Sequence, residues 1–485
     1  MSKLPPAIVW FRSDLRLSDN AALTAASADG RPILPIYVLD DEAAGPWALG
    51  GASRWWLHHS LTSLAADLHE IGATLMLARG KAADILPALM EKTGATELHA
   101  GRAHEPWARN VEAALANSLG DRLVLHRTAT LFDLDAIKTG GGTPYGVYTP
   151  FAKSCRTRSD VGDPLPAPKK LTGLEPPHSD ELEDWALLPT KPDWATGFRD
   201  TWQVGEAVAQ TRLHDFLEAT VTKYGTGRNV PGEDGTSRLS AHLHWGELSA
   251  RQVWAAGRAL PPGDGLDTFI GEILWREFSA YLLWHHPTMP EAPLRPAFDK
   301  LPFRDAKTDL DAWQRGQTGI PIVDAGLRQL WQVGWMHNRI RMVAASFLVK
   351  NLLVDWREGE AWFWDTLVCA DLASNAAGWQ WVAGCGIDSQ PFFRVFNPIS
   401  QGQTWDKAGD YVRHWVPELA KLPEKYLHAP WTAPTAILTM AGVTLGKTYP
   451  KPIVDLGESR DRALETYRTT VRGADKNDLS RGAAA

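Results

Sequence analysis

Four short segments hold side chains whose types and spacing could do chemistry. Gly235-Thr236-Ser237-Arg238-Leu239-Ser240 follows a turn-rich stretch with Pro231 and Gly232 and runs into a predicted helix. Small hydroxyls beside free main-chain N–H groups make an anion cradle; taken alone, the segment also reads as a cap and turn. From Gly271 to Phe278, Glu272, Trp275 and Arg276, with Ser279 one turn on, share one helical face. A carboxylate, a flat ring and a guanidinium suit a planar, hydrogen-bonding, anionic ligand, or equally an interhelical ion pair beside a core tryptophan. From Gly334 to Met342, Asn338, Arg341 and Met342 fall on one face and Arg339 on another, which gives a lined pocket or plain helix surface. His337 reads as a structural histidine, because no second histidine or carboxylate stands at metal-ligand spacing. Asp371 to Trp381 sets an acid, the Asn375 amide, Trp379 and Trp381 around small residues that permit close approach; core packing is the alternative.

The elements that must position these segments divide in two. Over 1–135, apolar β-rich runs at Ala7–Phe11, Ile33–Leu39, Thr74–Leu77, Glu97–Ala100 and Leu123–His126 alternate with helical patterns. The helices are Ser53–Ile71, with Ser53 as N-cap and Gly72 past the end, Ala82–Lys92 and Pro106–Leu119. This order predicts an α/β domain with a parallel, Rossmann-like sheet. No G-x-G-x-x-G follows the first run and no phosphate-binding P-loop motif occurs, so the sequence does not support an ordinary dinucleotide or P-loop site. Residues 136–205 are rich in Pro, Lys, Asp and Glu and read as a long connection. From 206 to 472 the spacing is helical, with Glu206–Tyr224, Ser249–Ala259, Asp267–His285, Ile322–Val333, Asn338–Leu353 and Gly359–Val368 as the clearest stretches. Residues 473–485 read as a tail.

Composition narrows the class. The 485 residues are 44% hydrophobic and 22% charged, which fits a globular protein and excludes collagen-like or largely disordered chains. Lys and Arg total 50 against 57 Asp and Glu, a net charge of −7. Nucleic-acid binding would therefore need a local basic face. Three scattered cysteines give no disulfide framework and too few thiols for a four-cysteine metal site, as in a reducing cytosol. No signal peptide is visible at Met1 to Ala7, and no apolar run reaches the ~18 residues of a membrane span. Tryptophan is over-used: 23, against 14 Phe and 9 Tyr, with 18 of them after residue 150. Tryptophan packs cores, stacks on planar ligands and gives up an electron readily.

In order along the chain, these segments resemble the DNA photolyase and cryptochrome family, most closely its microbial members acting on cyclobutane pyrimidine dimers. The resemblance opens at Trp10-Phe11-Arg12-Ser13-Asp14-Leu15-Arg16-Leu17-Ser18-Asp19-Asn20. It continues through Gly235–Ser240, Trp275-Arg276-Glu277-Phe278, Thr318–Asp324, Trp335-Met336-His337-Asn338-Arg339, Asp355–Glu360, Gly378-Trp379-Gln380-Trp381 and Phe393–Pro398. It implies an α/β antenna domain, a long linker and an all-α domain that holds FAD. By this resemblance Tyr224, Thr236, Ser237, Arg238, Leu239 and Ser240 surround the FAD phosphates and ribityl chain. Arg276, Asn338, Arg341, Cys369, Asp371 and Asn375 line the rest, with Asn375 beside flavin N5, where an amide favours the reduced anion and repair over signalling.

The implied chemistry is light-driven electron transfer from reduced FAD to a flipped-out dimer in DNA. Glu272 meets a thymine carbonyl edge and Asn338 bridges flavin and dimer. Trp275 and Trp381 form an apolar wedge, with Met342 packing opposite. Arg228, Arg339, Arg394 and Gln401 match positions at the DNA backbone, and Trp379 and Trp356 match the inner members of an electron-hopping chain. The family otherwise contains cryptochrome photoreceptors and photolyases for the pyrimidine–pyrimidone (6-4) lesion. The latter use a histidine pair where this chain has Asn338 and Met342.

Three departures stand out. Cys369 replaces an aspartate that pairs in the family with the arginine at 341. The outer member of the tryptophan chain falls on Phe303, which predicts a truncated chain or a detour through Trp331 or Trp335. The Asn-Glu pair that holds folate in well-known microbial members reads Trp107-Ala108. Methenyltetrahydrofolate in another mode is the favoured antenna, with a deazaflavin or an empty site as alternatives. The chain is expected to act as a cytosolic monomer without a metal.

Overall fold

A computed structural model describes residues 4–388 and 394–482, with side chains described to residue 472. Phe393 and most of the expected tail therefore lie outside the described residues or their side chains. The chain forms two compact units, one of 1–222, 237–287 and 368–373, the other of 223–236, 288–367 and 374–485.

The first unit is built on a parallel sheet of β1 (Ala7–Phe11), β2 (Pro32–Leu39), β3 (Met76–Arg79), β4 (Glu97–Gly101) and β5 (Leu123–His126), ordered β3-β2-β1-β4-β5. A two-residue strand β6 (Thr172–Gly173) pairs with the start of β2. β1 and β2 read as nearly unbroken apolar runs because helices cover both faces of such a sheet; all five residues of β1 are buried. Register is set by Ala7 opposite Ile33 on one side and Glu97 on the other. Ile8, Trp10, Leu34, Ile36, Leu86, Leu98 and Leu115 share one core cluster.

In the α/β part the helices follow the sequence spacing except at one N-terminus. The long helix runs Gly51–Glu70 and starts from Gly50 without a side-chain cap. Ser53 is inside it and buried, so it is not the N-cap. The paired glycines let the chain turn into the helix two residues before the first hydroxyl that could cap it. Residues 136–205 lie along this unit. Leu171 N–H donates to Ile71 O (2.7 Å), Leu174 N–H to Ile33 O (2.8 Å) and Leu165 N–H to Asp19 Oδ1 (2.9 Å). Short helices Tyr148–Arg156 and Thr196–Thr201 form within that stretch.

The predicted helix Glu206–Tyr224 is broken: it ends at Ala219, and 3-10 and α turns follow at Val221–Lys223 and Tyr224–Gly227. The break falls on Thr220-Val221-Thr222, a β-branched run with restricted χ1. Asp264–His285 is a second long helix of this unit.

The second unit is helical. Pro321–Val333, Asn338–Ser346, Trp356–Thr366 and Pro398–Trp405 are among its helices, Pro321–Val333 being the most buried of them, and Leu456–Gly482 extends through part of the expected tail. Asn338–Ser346 continues as a π-helical turn, Phe347–Asn351, instead of an α-helix to Leu353. Among the described residues no helix is long and apolar enough to cross a membrane.

Candidate functional site

Ser237–Ser240, Glu272, Trp275, Arg276, Cys369 and Asp371 belong to the first unit. Tyr224, Arg228, Thr236, Asn338, Arg339, Arg341, Met342, Trp356, Asn375, Trp379, Trp381, Arg394 and Gln401 belong to the second.

In the first unit Arg238 takes a left-handed conformation (φ 51°) just ahead of the helix Ser240–Trp245, and Leu239 N–H reaches Ser237 Oγ at 3.4 Å. Helix Asp264–His285 carries Glu272, Trp275 and Arg276, as the spacing requires. Trp275 lies flat against Tyr148, ring centroids 3.6 Å apart and 6° from parallel. The Tyr148 hydroxyl donates to Gly271 O on the same helix (2.7 Å), a partner invisible in the sequence. The Arg276 guanidinium donates to Ala129 O (2.9 Å) and Leu243 O (3.2 Å). It also lines a small polar cavity of about 60 Å³ with Arg12, Asp14, His104, His244 and Asp371. His104 Nε2 and His244 Nδ1 lie 3.9 and 4.0 Å from the Asp371 carboxylate. The Nε2 atoms of both histidines are buried without a hydrogen-bond partner, and burial pushes His244 below its usual pKa. Unsatisfied buried donors and acceptors are costly, so this cavity fits a polar ligand. Cys369 is buried, and its carbonyl accepts from Asp371 N–H (2.8 Å).

In the second unit three arginines converge. Burial, Arg228 and Arg394 together lower the pKa of Arg339. Arg339 also donates to Asn229 Oδ1 and lies 4.7 Å over the Trp405 ring. Gln401 stands on the helix that ends in Trp405, with its Oε1 buried and unpartnered. Like charges held this close make a binding place for anions. Asn338 opens its helix behind His337, whose imidazole accepts from Arg339 N–H (3.2 Å); the histidine is structural, as its surroundings in the sequence suggested. Arg341 Nε donates to Met336 O (2.7 Å). On the helix Leu372–Ala383, Asn375 and Trp379 stand one turn apart. Asn375 Nδ2 donates to Glu360 O (3.0 Å). Trp379 packs so tightly on Gly359 that a Cβ there would sit 2.1 Å from the indole.

The chain matches the family model described as "DNA photolyase" over residues 7–169 and the one described as "FAD binding domain of DNA photolyase" over 269–469. A deoxyribodipyrimidine photo-lyase of Agrobacterium fabrum is 49% identical, over 96% of this chain and 98% of the relative. The chain belongs to the DNA photolyase family. The photo-lyase of Escherichia coli is 36% identical over 96% and 99% of the two chains. Among solved structures, a bacterial class III photolyase from Agrobacterium tumefaciens superposes with a TM-score of 0.94 at 48% identity, over 97% and 98% of the two chains.

Several photolyase motif residues that sequence reasoning left without a role hold the scaffold. Glu277 is fully buried and accepts from Leu131 N–H and Phe132 N–H, both at 3.0 Å; burial raises its pKa. Asp324 accepts from Thr318 N–H and hydroxyl, Gly319 N–H and the Tyr449 hydroxyl, between 2.6 and 3.0 Å. Gln380 bridges Met289 O, Ala292 O and Leu294 N–H. Asp355 and Asn397 cap the helices that follow them. For Glu277 a signal existed: it lies five residues from Glu272, on the opposite helix face.

The aromatic network of this photolyase-family chain departs from a simple series. Trp379 has Phe363 at 5.0 Å and Trp313 at 6.2 Å; Trp313, Trp356 and Trp379 are all buried. Trp331 stacks on Trp362 at 5.9 Å and 5° and is 53% exposed, whereas Trp335 is buried.

Proposed function

We propose that this protein is a deoxyribodipyrimidine photo-lyase, a cytosolic monomer that uses FAD and blue light to split cyclobutane pyrimidine dimers in DNA. Bound FAD supplies, once reduced and excited, an electron that opens the dimer's cyclobutane ring and then returns. The observation that carries the reading is the fixed Asn375 amide. One N–H of its amide donates to Glu360 O, which fixes the plane of the amide and turns its oxygen away from that carbonyl, as an acceptor for a ligand N–H requires. Arg276 and Asp371, around a cavity with unpartnered imidazole nitrogens, fit the polar parts of the same cofactor. Tyr224, Thr236, Ser237, Arg238, Leu239, Ser240, Asn338, Arg341 and Cys369 complete the proposed FAD set.

The proposed work of the remaining residues is to bind and orient the lesion. Arg228, Arg339, Arg394 and Gln401 hold DNA phosphates, each arginine adding to the salt dependence. Glu272, Trp275, Asn338, Met342 and Trp381 receive the extruded dimer by stacking and hydrogen bonds at its carbonyls. Trp379 and Trp356 pass an electron inward to reduce resting cofactor.

For the antenna we propose methenyltetrahydrofolate in a cavity of about 340 Å³ lined by Arg102, His104, His126, Arg127, Phe132 and Trp284. A folate joins a flat heterocycle to an anionic tail; Trp284 offers an indole wall and Arg102 and Arg127 offer charge. Arg109, 3.8 Å over Trp284, fixes that wall.

The deciding experiment is blue-light treatment of an oligonucleotide with one defined thymine dimer, using purified, reduced protein. Restored thymines in the light and none in the dark support the reading. A colourless protein that takes up no flavin, or a flavoprotein that leaves the dimer intact, rejects it; the latter outcome would favour a cryptochrome photoreceptor or, if the (6-4) lesion is repaired instead, a (6-4) photolyase.

A further inference from the structure

Ser346 and Lys350 stand four residues apart, Ser346 at the end of helix Asn338–Ser346 and Lys350 in the π-helical turn that continues it. Turns of this kind are frequently found at functional sites. Both side chains are buried, Ser346 at 0% exposure and Lys350 at 3%. Ser346 Oγ accepts from Phe396 N–H (3.2 Å), and Lys350 Nζ donates to the main-chain carbonyl of Arg394. Two side chains of one helical segment thus grip alternate main-chain groups of 394–396.

Burying an ammonium is expensive. Burial is the largest influence on Lys350 and Arg394 adds repulsion, while the Cys385 thiol group offsets part of it; the lysine is pushed down to about 7. An apolar side chain of equal length would avoid that cost and would lose the bond to Arg394 O. What hangs on this stretch is the Arg394 guanidinium, 4.9 Å over Phe396 and near enough to Arg339 to oppose its charge. Guanidinium groups left to themselves move apart. Holding one in a cluster of three before any anion arrives requires its main chain to be fixed.

We infer that Ser346 and Lys350 form a latch that positions Arg394 for a DNA phosphate. The inference rests on the reading of Arg394 as a phosphate contact. Lys350 is a positioning residue: it acts through the main chain of 394.

The test uses the FAD-loaded protein and a dimer-containing duplex, with binding measured across a salt series for wild type, Lys350→Met, Arg394→Ala and the double variant. A lost phosphate contact lowers the slope of log K against log salt by about 0.9. The latch requires Lys350→Met to lower the slope as Arg394→Ala does, and the double variant to bind no more weakly than Arg394→Ala alone. An unchanged slope with additive losses overturns it. If Arg394→Ala itself leaves the slope unchanged, the phosphate reading of Arg394 fails, and positioning for DNA fails with it. Amide exchange separates the two failures. Lys350→Met and Ser346→Ala must each speed exchange at Phe396, with the flavin absorption spectrum kept as the check on folding. Exchange at the wild-type rate in both variants overturns the latch whatever DNA binding shows, and Ser346→Ala decides alone if Lys350→Met does not fold.

Discussion

The Asn375 amide donates to the main-chain carbonyl of Glu360 across 3.0 Å, with both groups buried. The bond orients an amide that local sequence leaves free to point either way. It also ties Leu372–Ala383 to Trp356–Thr366 one residue from the point where Gly359 admits Trp379. Orientation of the polar group and packing of the tryptophan are therefore set by two neighbouring contacts between the same two helices.

Asn375→Asp keeps the size and removes the donor. A carboxylate facing the Glu360 carbonyl loses about 1 kcal/mol of hydrogen bonding, and its acid form can deliver a proton to the reduced flavin. Expected are a lower unfolding midpoint, a reduced-cofactor absorption spectrum shifted toward the protonated form, and slower repair. A variant spectrum that overlays wild type would count against the assigned role.

Cys369→Asp restores the acid usual in the family. A thiol brings no charge to balance an arginine, whereas a carboxylate near the flavin disfavours taking on a further negative charge. The flavin reduction potential should fall, as read by redox titration. An unchanged potential would show that the replacement is electrostatically silent.

The exposed, stacked Trp331 is the better exit for the electron hole, because Trp335 is buried and Phe303 is hard to oxidise. Trp331→Phe should cut photoreduction of the oxidised cofactor several-fold, while repair by chemically reduced protein stays at the wild-type rate. Full photoreduction in Trp331→Phe/Trp335→Phe would refute the detour.

Glu277→Ala strips two buried N–H groups of their acceptor. Each unsatisfied donor costs about 1–3 kcal/mol, so denaturant unfolding should show a marked loss of stability, partly recovered in Glu277→Gln. A midpoint equal to wild type would mean that these groups find other partners.

His126 faces its stacked neighbour His99 across 3.0 Å. Burial, then the charge of His99, pushes it down to about 4, and burial lowers His99 as well. Between pH 6.5 and 4 the unfolded chain therefore binds a proton that the folded chain refuses. Stability is fully present above 6.5 and is lost as pH falls through 4. His126→Gln should flatten the acid limb of the stability–pH curve; an identical limb would exclude this histidine as its source.

Much was legible locally. The apolar runs delivered the five parallel strands, with β1 and β5 at their observed bounds; in the central strand β1, burial on both sheet faces imposes the unbroken apolar pattern. Helical spacing placed Glu272, Trp275 and Arg276 on one face, and Asn338, Arg341 and Met342 on another. The linear order of the motifs was enough to reach the family and its flavin chemistry.

What the chain order could not supply are contacts between residues far apart in it. Glu277 meets Leu131 across 146 positions, and Asp324 meets Tyr449 across 125. Periodicity reports which face of an element is buried and says nothing of which element covers it. Hence Ser53 looked like a cap and became core, and Glu277 and Asp324, motif acids to which the sequence assigned no task, became anchors for main-chain N–H groups. The sequence by itself determined the elements, the family and the cast of reactive side chains. Only the tertiary structure decided which way Asn375 points and which arginines crowd together, because hydrogen-bond direction and charge repulsion depend on through-space distance.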